Sequence, residues 1–154
     1  RFFLLFAGQH QFRHHIGTTY IAVAGGRILG FATVAAGQLE VEEISAALRG
    51  RLPRYPLPIL RLARLAVDES ARSLGIGEEL LRFVFRLALG MRGAFGCVGL
   101  FVDAKPDAAD YYARFGFVPL EVVEGALPAR PRPLPMFLSI REIEVASGET
   151  GKGS

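Results

Sequence analysis

Two apolar segments flank one amphipathic segment in the middle of the chain, and this order constrains the fold most. ILRLARLAV (59–67) reads as a strand. Ile76 to Leu89 follows as the clearest helix, with apolar positions 76, 80, 84, 87 and 88 on one face. Glu78 and Arg82 pair at i,i+4 on the other face, and Arg86 continues the polar stripe. Gly90 and Gly93 are expected to end the helix. CVGLFV (97–102) is apolar throughout, as in a strand buried on both faces. Strand, helix and strand in that order predict a right-handed parallel crossover.

The remaining segments extend this unit. Phe2, Leu5, Phe6, Gln9, Phe12 and Ile16 follow helical spacing, which predicts an amphipathic helix to about residue 15. TTYIAVA (18–24), Gly25-Gly26 and RILGFATVAA (27–36) predict a β-hairpin. EVEEISAAL (40–48) reads as a short helix. A loop follows in which Pro53, Pro56 and Pro58 oppose regular pairing. DAADYYARF (107–115) predicts a second helix with Ala108, Tyr111, Tyr112 and Phe115 inward, stopped by Gly116. FVPL is a short strand, LPARPRPLP a loop and MFLSI (136–140) a final strand. The result is a mixed α/β domain over residues 1–145, with 146–154 a Gly-, Ser- and Thr-rich tail expected to be disordered. The chain opens with Arg1 rather than Met, so an element is expected to be missing from its N-terminal side.

A chain of 154 residues fits one domain. FFLLFA is far shorter than the roughly 20 residues that span a bilayer, so no membrane helix is expected. A single cysteine, Cys97, excludes an internal disulfide and a multi-cysteine metal site, and a cytoplasmic setting suits such a chain. No metal site is expected at His10, His14 and His15, which read as surface or packing residues. Net charge is +3, and arginine supplies 16 of the 18 basic residues. That excess permits an anionic partner, and a GC-rich coding sequence would produce it equally well.

Between the first strand and its helix stands VDESARSLGIGEE, with Arg72 three residues before Gly75 and Gly77 two beyond it. A helix start after a strand presents unpaired N–H groups and a positive dipole end, which suit phosphate. Glycines remove Cβ atoms and let a bulky anion approach the backbone. Arg72 adds a charged donor at the rim. The third glycine of the dinucleotide fingerprint and the Gly-Lys-Ser/Thr of a Walker loop are both absent. On spacing alone, a turn that merely eases helix packing is an equal reading.

The same stretch resembles motif A of the GNAT superfamily of N-acetyltransferases, Gln/Arg-x-x-Gly-x-Gly/Ala, which Arg72-Ser73-Leu74-Gly75-Ile76-Gly77 matches in full. DYYARFGF resembles the family's later motif through Tyr111, Tyr112, Gly116 and Phe117. The resemblance covers roughly residues 18 to 140 and implies the GNAT acyl-CoA N-acyltransferase fold with acetyl-CoA as donor. It implies that residues 72–77 hold the pyrophosphate through backbone amides. It also implies that Leu65, Ala66 and Val67 meet the pantetheine as an added strand would. Tyr112 matches the family's usual general acid; without its flanking residues it would read as a core aromatic.

Two departures stand out. Lys105 occupies the position where many members carry an asparagine that contacts the cofactor, and it reads as a phosphate contact or a solvated lysine. Strand 59–67 lacks the glutamate base of many lysine-acetylating members and carries Arg61 and Arg64 instead. Glu40, Glu42 and Glu43 are the nearest carboxylates and read as a surface helix face.

RLAVD, VDAK and MFLSI are similar to phrases in the bacterial GNAT toxins that acetylate the amino acid on charged tRNA. That branch implies a ribbon-helix-helix antitoxin partner, and the family admits a homodimer. A lysine amine has a pKa near 10.4 and an α-amine one of about 7.7–8.0, so the second needs less help from a base. With Arg49, Arg51 and Arg54, the strand arginines would repel lysine and attract a phosphate backbone. An α-amine on charged tRNA is therefore the favoured acceptor, with Arg61 and Arg64 as its contacts. Ordinary surface ion pairs are the competing account of these arginines. A housekeeping acetyltransferase and a non-catalytic CoA-binding module are the other two functional readings.

Overall fold

The structure, a computed structural model, describes residues 3–10, 17–39, 56–120 and 133–148. Its strands are β1 (Phe3–His10), β2 (Gly17–Ala24), β3 (Arg27–Leu39), β4 (Leu57–Val67), β5 (Gly99–Ala104), β6 (Val118–Pro119) and β7 (Leu134–Ser139). Its α-helices are α1 (Ile76–Ala94), α2 (Ala109–Ala113) and α3 (Ile140–Ala146). The strands form one sheet in the order β1-β2-β3-β4-β5-β7-β6. All neighbours are antiparallel except β4 and β5. The mixed α/β reading and the crossover through α1 are both realised.

The sheet has two buried faces. On one, α1 lays Ile76, Leu80, Leu81, Val84 and Ala88 against Leu60, Leu62, Leu100 and Val102. On the other, Leu39, Leu57, Ile59, Phe101, Leu120 and Phe137 form a smaller cluster. Alternation along β3, β4 and β5 supplies both sets, because successive strand residues point to opposite faces.

The parallel pairing of β4 with β5 is short. It runs Leu60↔Leu100, Arg61↔Phe101 and Leu62↔Val102, although β4 continues to Val67. At the same place the β3–β4 register steps from Val34↔Leu62 to Thr33↔Arg64, leaving Ala63 as an extra residue. This is a β-bulge, which bends its strand and sharpens the local twist. Past it, residues 65–67 stay paired with β3 and part from β5.

Several expectations are corrected. The helix predicted to about residue 15 gives way to β1, which pairs antiparallel with β2; residues 11–16 lie outside the described residues. The run FLLFA satisfies helical and extended patterns alike, and the edge of β2 decides between them. α1 does not end at Gly90 but runs through Gly93 to Ala94. Buried Leu89 and Met91 anchor its last turn, and Arg92 pairs with Glu144 of α3. Pro58 lies within β4, paired opposite Gln38, and its carbonyl accepts from the Val98 N–H at 2.8 Å. Proline removes a donor, not an acceptor. The second helix is shorter than predicted: a 3-10 turn over Pro106–Ala108 precedes α2, and only Tyr112 of the expected inward set is fully buried. Strand β7 ends at Ser139 and passes into α3, which was not anticipated. The short helix predicted at 40–48, Arg49, Arg51 and Arg54, and tail residues 149–154 lie outside the described residues.

Gly30 of β3 lets α1 reach the sheet. A Cβ there would stand 2.7 Å from the Ala66 carbonyl, 3.1 Å from Leu80 and 3.3 Å from Ile76. Gly30→Ala should therefore lose about 1–3 kcal/mol of stability, the usual cost of overpacking. Urea unfolding measures it, and an unchanged midpoint would mean that this contact has slack.

Candidate functional site

β4 ends at Val67, and the next residues build an anchored turn. Asp68 donates its N–H to the Leu29 carbonyl at 2.8 Å and accepts from the Ser70 N–H at 3.1 Å. The Ser70 hydroxyl bonds to the same carboxylate and accepts from Arg27 at 3.0 Å. Those Ser70 hydrogen bonds, and then Arg27, hold the Asp68 carboxyl below its ordinary range. Its contribution to stability is therefore present above the unfolded pKa and lost as pH falls through the lower folded one. A 3-10 turn over Glu69–Leu74 carries Arg72, and Gly75 reverses the chain at φ 77°, where a side chain would be strained.

Helix α1 starts directly after Gly75. Its first i→i−4 bond runs from Glu79 N–H to the Gly75 carbonyl at 3.1 Å. The N–H groups before it lack intrahelical acceptors and sit at the positive end of a 19-residue helix. Gly77 faces α2, and a Cβ there would come within 2.9 Å of the Tyr111 hydroxyl and 3.5 Å of Val67.

The parting of β4 and β5 opens a cavity of about 830 Å³ at this point. Leu65, Ala66 and Val67 form one side, and Arg72, Gly75 and Gly77 one end. Lys105 and Tyr112 come from the far wall, after β5. Eight of the expected site residues thus meet in one cleft. Ser73 and Leu74 are exposed and Ile76 is buried in the core, so only their backbone could serve the turn. Glu78, Asp107, Tyr111, Arg114 and Phe115 also line the cleft, and the sequence reading did not assign them. The spacing of residues 107, 111, 114 and 115 on one turn-and-helix face was the signal for them.

Tyr112 is 6% exposed, edge-on to Phe117 at 5.4 Å and to Tyr111 at 5.5 Å. Burial, and secondarily Tyr111, pushes its phenol up to about 12, so it remains protonated across the neutral range. Tyr111 is half-buried, but its hydroxyl is enclosed and has no hydrogen-bond partner among the described residues. Burial also raises this phenol, and Glu78 adds to the effect.

Arg61 and Arg64 do not line the cleft. Arg61 bonds Asp103 at 3.3 Å and lies 4.5 Å from the Phe101 ring centroid, on the face away from α1. Arg64 pairs across the sheet with Thr33, whose hydroxyl meets that of Thr19 at 2.8 Å. Its neighbour Leu65 packs toward α1, so Arg64 points to the opposite face. Among the described residues Arg64 has no ion-pair partner. No metal-competent group of His, Cys, Asp or Glu gathers among the described residues, and no described helix is long and apolar enough to cross a membrane.

A family model described as an acetyltransferase (GNAT) domain matches residues 15–119. The tRNA-acetylating toxin of Mycobacterium tuberculosis (strain ATCC 25618 / H37Rv) is 29% identical over 99 residues, 64% of this chain and 59% of that protein. The match thus spans less than two thirds of that relative's length. AtaT complexed with acetyl-methionyl-tRNAfMet is 28% identical, with a TM-score of 0.73 over 88% of this chain and 78% of that one. A tyrosine-to-phenylalanine mutant of AtaT, bound to the C-terminus of the antitoxin AtaR and acetyl-CoA, is 26% identical. Its TM-score is 0.67, over 88% of this chain and 74% of that one.

The two adjacent tyrosines should separate by stability. An unpartnered buried hydroxyl costs about 1–3 kcal/mol. Tyr111→Phe should therefore unfold at the parent's urea midpoint or above it. A stability lower by more than about 1 kcal/mol would mean that the hydroxyl is satisfied in solution.

Proposed function

Because the chain belongs to the GNAT acetyltransferase family, we propose that it transfers an acetyl group from acetyl-CoA to the α-amine of an aminoacyl-tRNA. The observation that carries the reading is the cleft between β4 and β5, with the Gly75–Gly77 turn at one end and Tyr112 on its wall. The residues present fit the donor: Gly75 has open space where a side chain would stand, and residues 65–67 have no β5 partner. Arg72 and the first-turn amides hold the pyrophosphate, while the backbone of Leu65, Ala66 and Val67 binds the pantetheine. Lys105, beside them in the cleft, adds a cation where many relatives carry an asparagine.

Acetyl-CoA supplies a thioester whose carbonyl carbon accepts the amine. The new C–N bond forms as the C–S bond breaks, and the amine nitrogen gives up its proton to solvent. Tyr112 donates its phenolic proton to the departing sulfur and recovers one from water. A thiol near 8.5 and a phenol near 10 are the reference values, and burial raises both acids together. A backbone N–H of β4 faces the developing oxyanion.

Arg64, unpaired on the face away from α1, contacts the acceptor's phosphates, and Arg61, already held by Asp103 and Phe101, shapes the surface beside it. The AtaT complex with acetyl-methionyl-tRNAfMet supports this acceptor class, as does the tRNA-acetylating relative. The AtaT–AtaR complex supports an antitoxin as protein partner, for which we infer the ribbon-helix-helix type. An aminoacyl-tRNA substrate places the work in the cytoplasm.

Three measurements test this reading. Gly77→Glu puts a bulky anion into the pyrophosphate end, and calorimetry on the folded variant should find acetyl-CoA binding lost. Unchanged affinity would remove the cofactor assignment. Tyr112→Phe should lower kcat by about 10²–10⁴-fold with acetyl-CoA affinity retained, whereas a drop under about fivefold would leave Tyr112 a packing residue. With its phenol near 12, the parent's kcat should show no Tyr112-dependent fall until well above pH 10. For the acceptor, acetylation of charged tRNA should slow steeply with salt. Faster, salt-insensitive acetylation of a lysine peptide would assign the enzyme to protein amines instead.

A further inference from the structure

Arg114 is a cation of the cleft with no role so far. It caps α2 two residues after Tyr112 and lines the same cavity as Arg72. Its guanidinium carbon lies 5.4 Å from the centroid of the Tyr111 ring. That ring is held from three sides. It is edge-on to Tyr112 at 5.5 Å and to Phe115 at 5.2 Å, and its hydroxyl end abuts Gly77, where a Cβ would be 2.9 Å away. Arg114 therefore rests on a fixed platform that reaches from α2 to the first turn of α1.

The charges around it leave it available. Glu78, the carboxylate on the α1 wall, is bonded to Arg82 at 2.6 Å. Among the described residues neither Arg72 nor Arg114 has an ion pair. The cleft thus carries two guanidinium groups without an ion pair among the described residues. A guanidinium stacked on an aromatic face keeps its N–H edge free for a bidentate phosphate contact.

We propose that Arg114 binds a phosphate group of acetyl-CoA from the α2 side of the cleft that Arg72 also lines, and that the Tyr111 ring positions it. This rests on the acetyl-CoA reading above. Either the 5′-pyrophosphate or the ribose 3′-phosphate would supply the anion.

The test is calorimetric binding of acetyl-CoA at low ionic strength. Arg114→Ala should weaken it by roughly 10- to 100-fold, the range for a hydrogen bond to a charged group. Arg114→Lys should recover part of the loss. Arg141→Ala, which removes an exposed arginine on α3, should leave affinity within about twofold and controls for net charge. Binding of dephospho-CoA sorts the sources: a loss that persists assigns the pyrophosphate, and one that disappears assigns the 3′-phosphate. Tyr111→Leu should weaken binding in the parent but add nothing in Arg114→Ala, a coupling that general destabilisation would not produce. Unchanged acetyl-CoA affinity in folded Arg114→Ala overturns the proposal. A raised KM for charged tRNA with acetyl-CoA affinity intact overturns it too, by moving Arg114 to the acceptor. A parent that fails to bind acetyl-CoA would instead defeat the donor assignment itself.

Discussion

Two parallel strands hydrogen-bond for three residue pairs, Leu60↔Leu100 to Leu62↔Val102, and then part. The rest of the structure depends on that separation. If β4 and β5 stayed zipped to their ends, the backbone of residues 65–67 would be consumed by β5 and no cleft would open. The extra residue Ala63 is the local cause, since a bulge bends the strand that carries it. β3 holds β4 on the other side through Val67, so the strand bends without fraying. Exposed backbone groups in mid-sheet are an open edge, which a ligand able to mimic a strand can pair with.

The bulge also sorts the side chains. Before it, Leu60 and Leu62 point to α1 and Arg61 away; after it, Leu65 points to α1 and Arg64 away. A regular strand would have set Arg61 and Arg64 on opposite faces, because they are three residues apart. The inserted residue puts both arginines on the face remote from α1. The Gly75–Gly77 turn therefore borders the cleft, while the arginine face lies on the other side of the sheet. Under the proposed transfer, acetyl-CoA and a charged tRNA would each have their own route to the reacting carbon, one from either face.

The central unit was legible in the sequence because its signals are local. The apolar strand, the positive-φ Gly75 and the amphipathic α1 each depend on neighbours within a few residues. The Tyr112 position was legible through its flanking motif, although its role stays a proposal. What escaped depends on distant contacts. β1 forms because β2 offers an edge. α1 continues past two glycines, each costing about 1 kcal/mol in a helix, because Leu89 and Met91 are buried. The bulge at Ala63 is a matter of register, which no single strand contains. α3 is different, since Ser139 accepts from the Glu142 N–H at 3.2 Å and Ser-x-x-Glu was there to be read as a capping signal.

Tyr111 and Tyr112 both line the cleft. They are adjacent on a short helix and meet edge-on, yet their surroundings differ. Tyr112 packs against Phe117 in the main core, where desolvation favours the neutral phenol and rigid packing fixes its direction. Tyr111 spans the gap to α1 and ends against Gly77, so its ring is wedged between the two walls. An enclosed hydroxyl without a partner is tolerated where the ring itself is needed, because the lost hydrogen bond is offset by the contacts of the flat face. The proton donation proposed for Tyr112 needs a phenol, whereas the positioning role proposed for Tyr111 needs only an aromatic plane. One residue type stands at two successive positions, and their environments tell them apart.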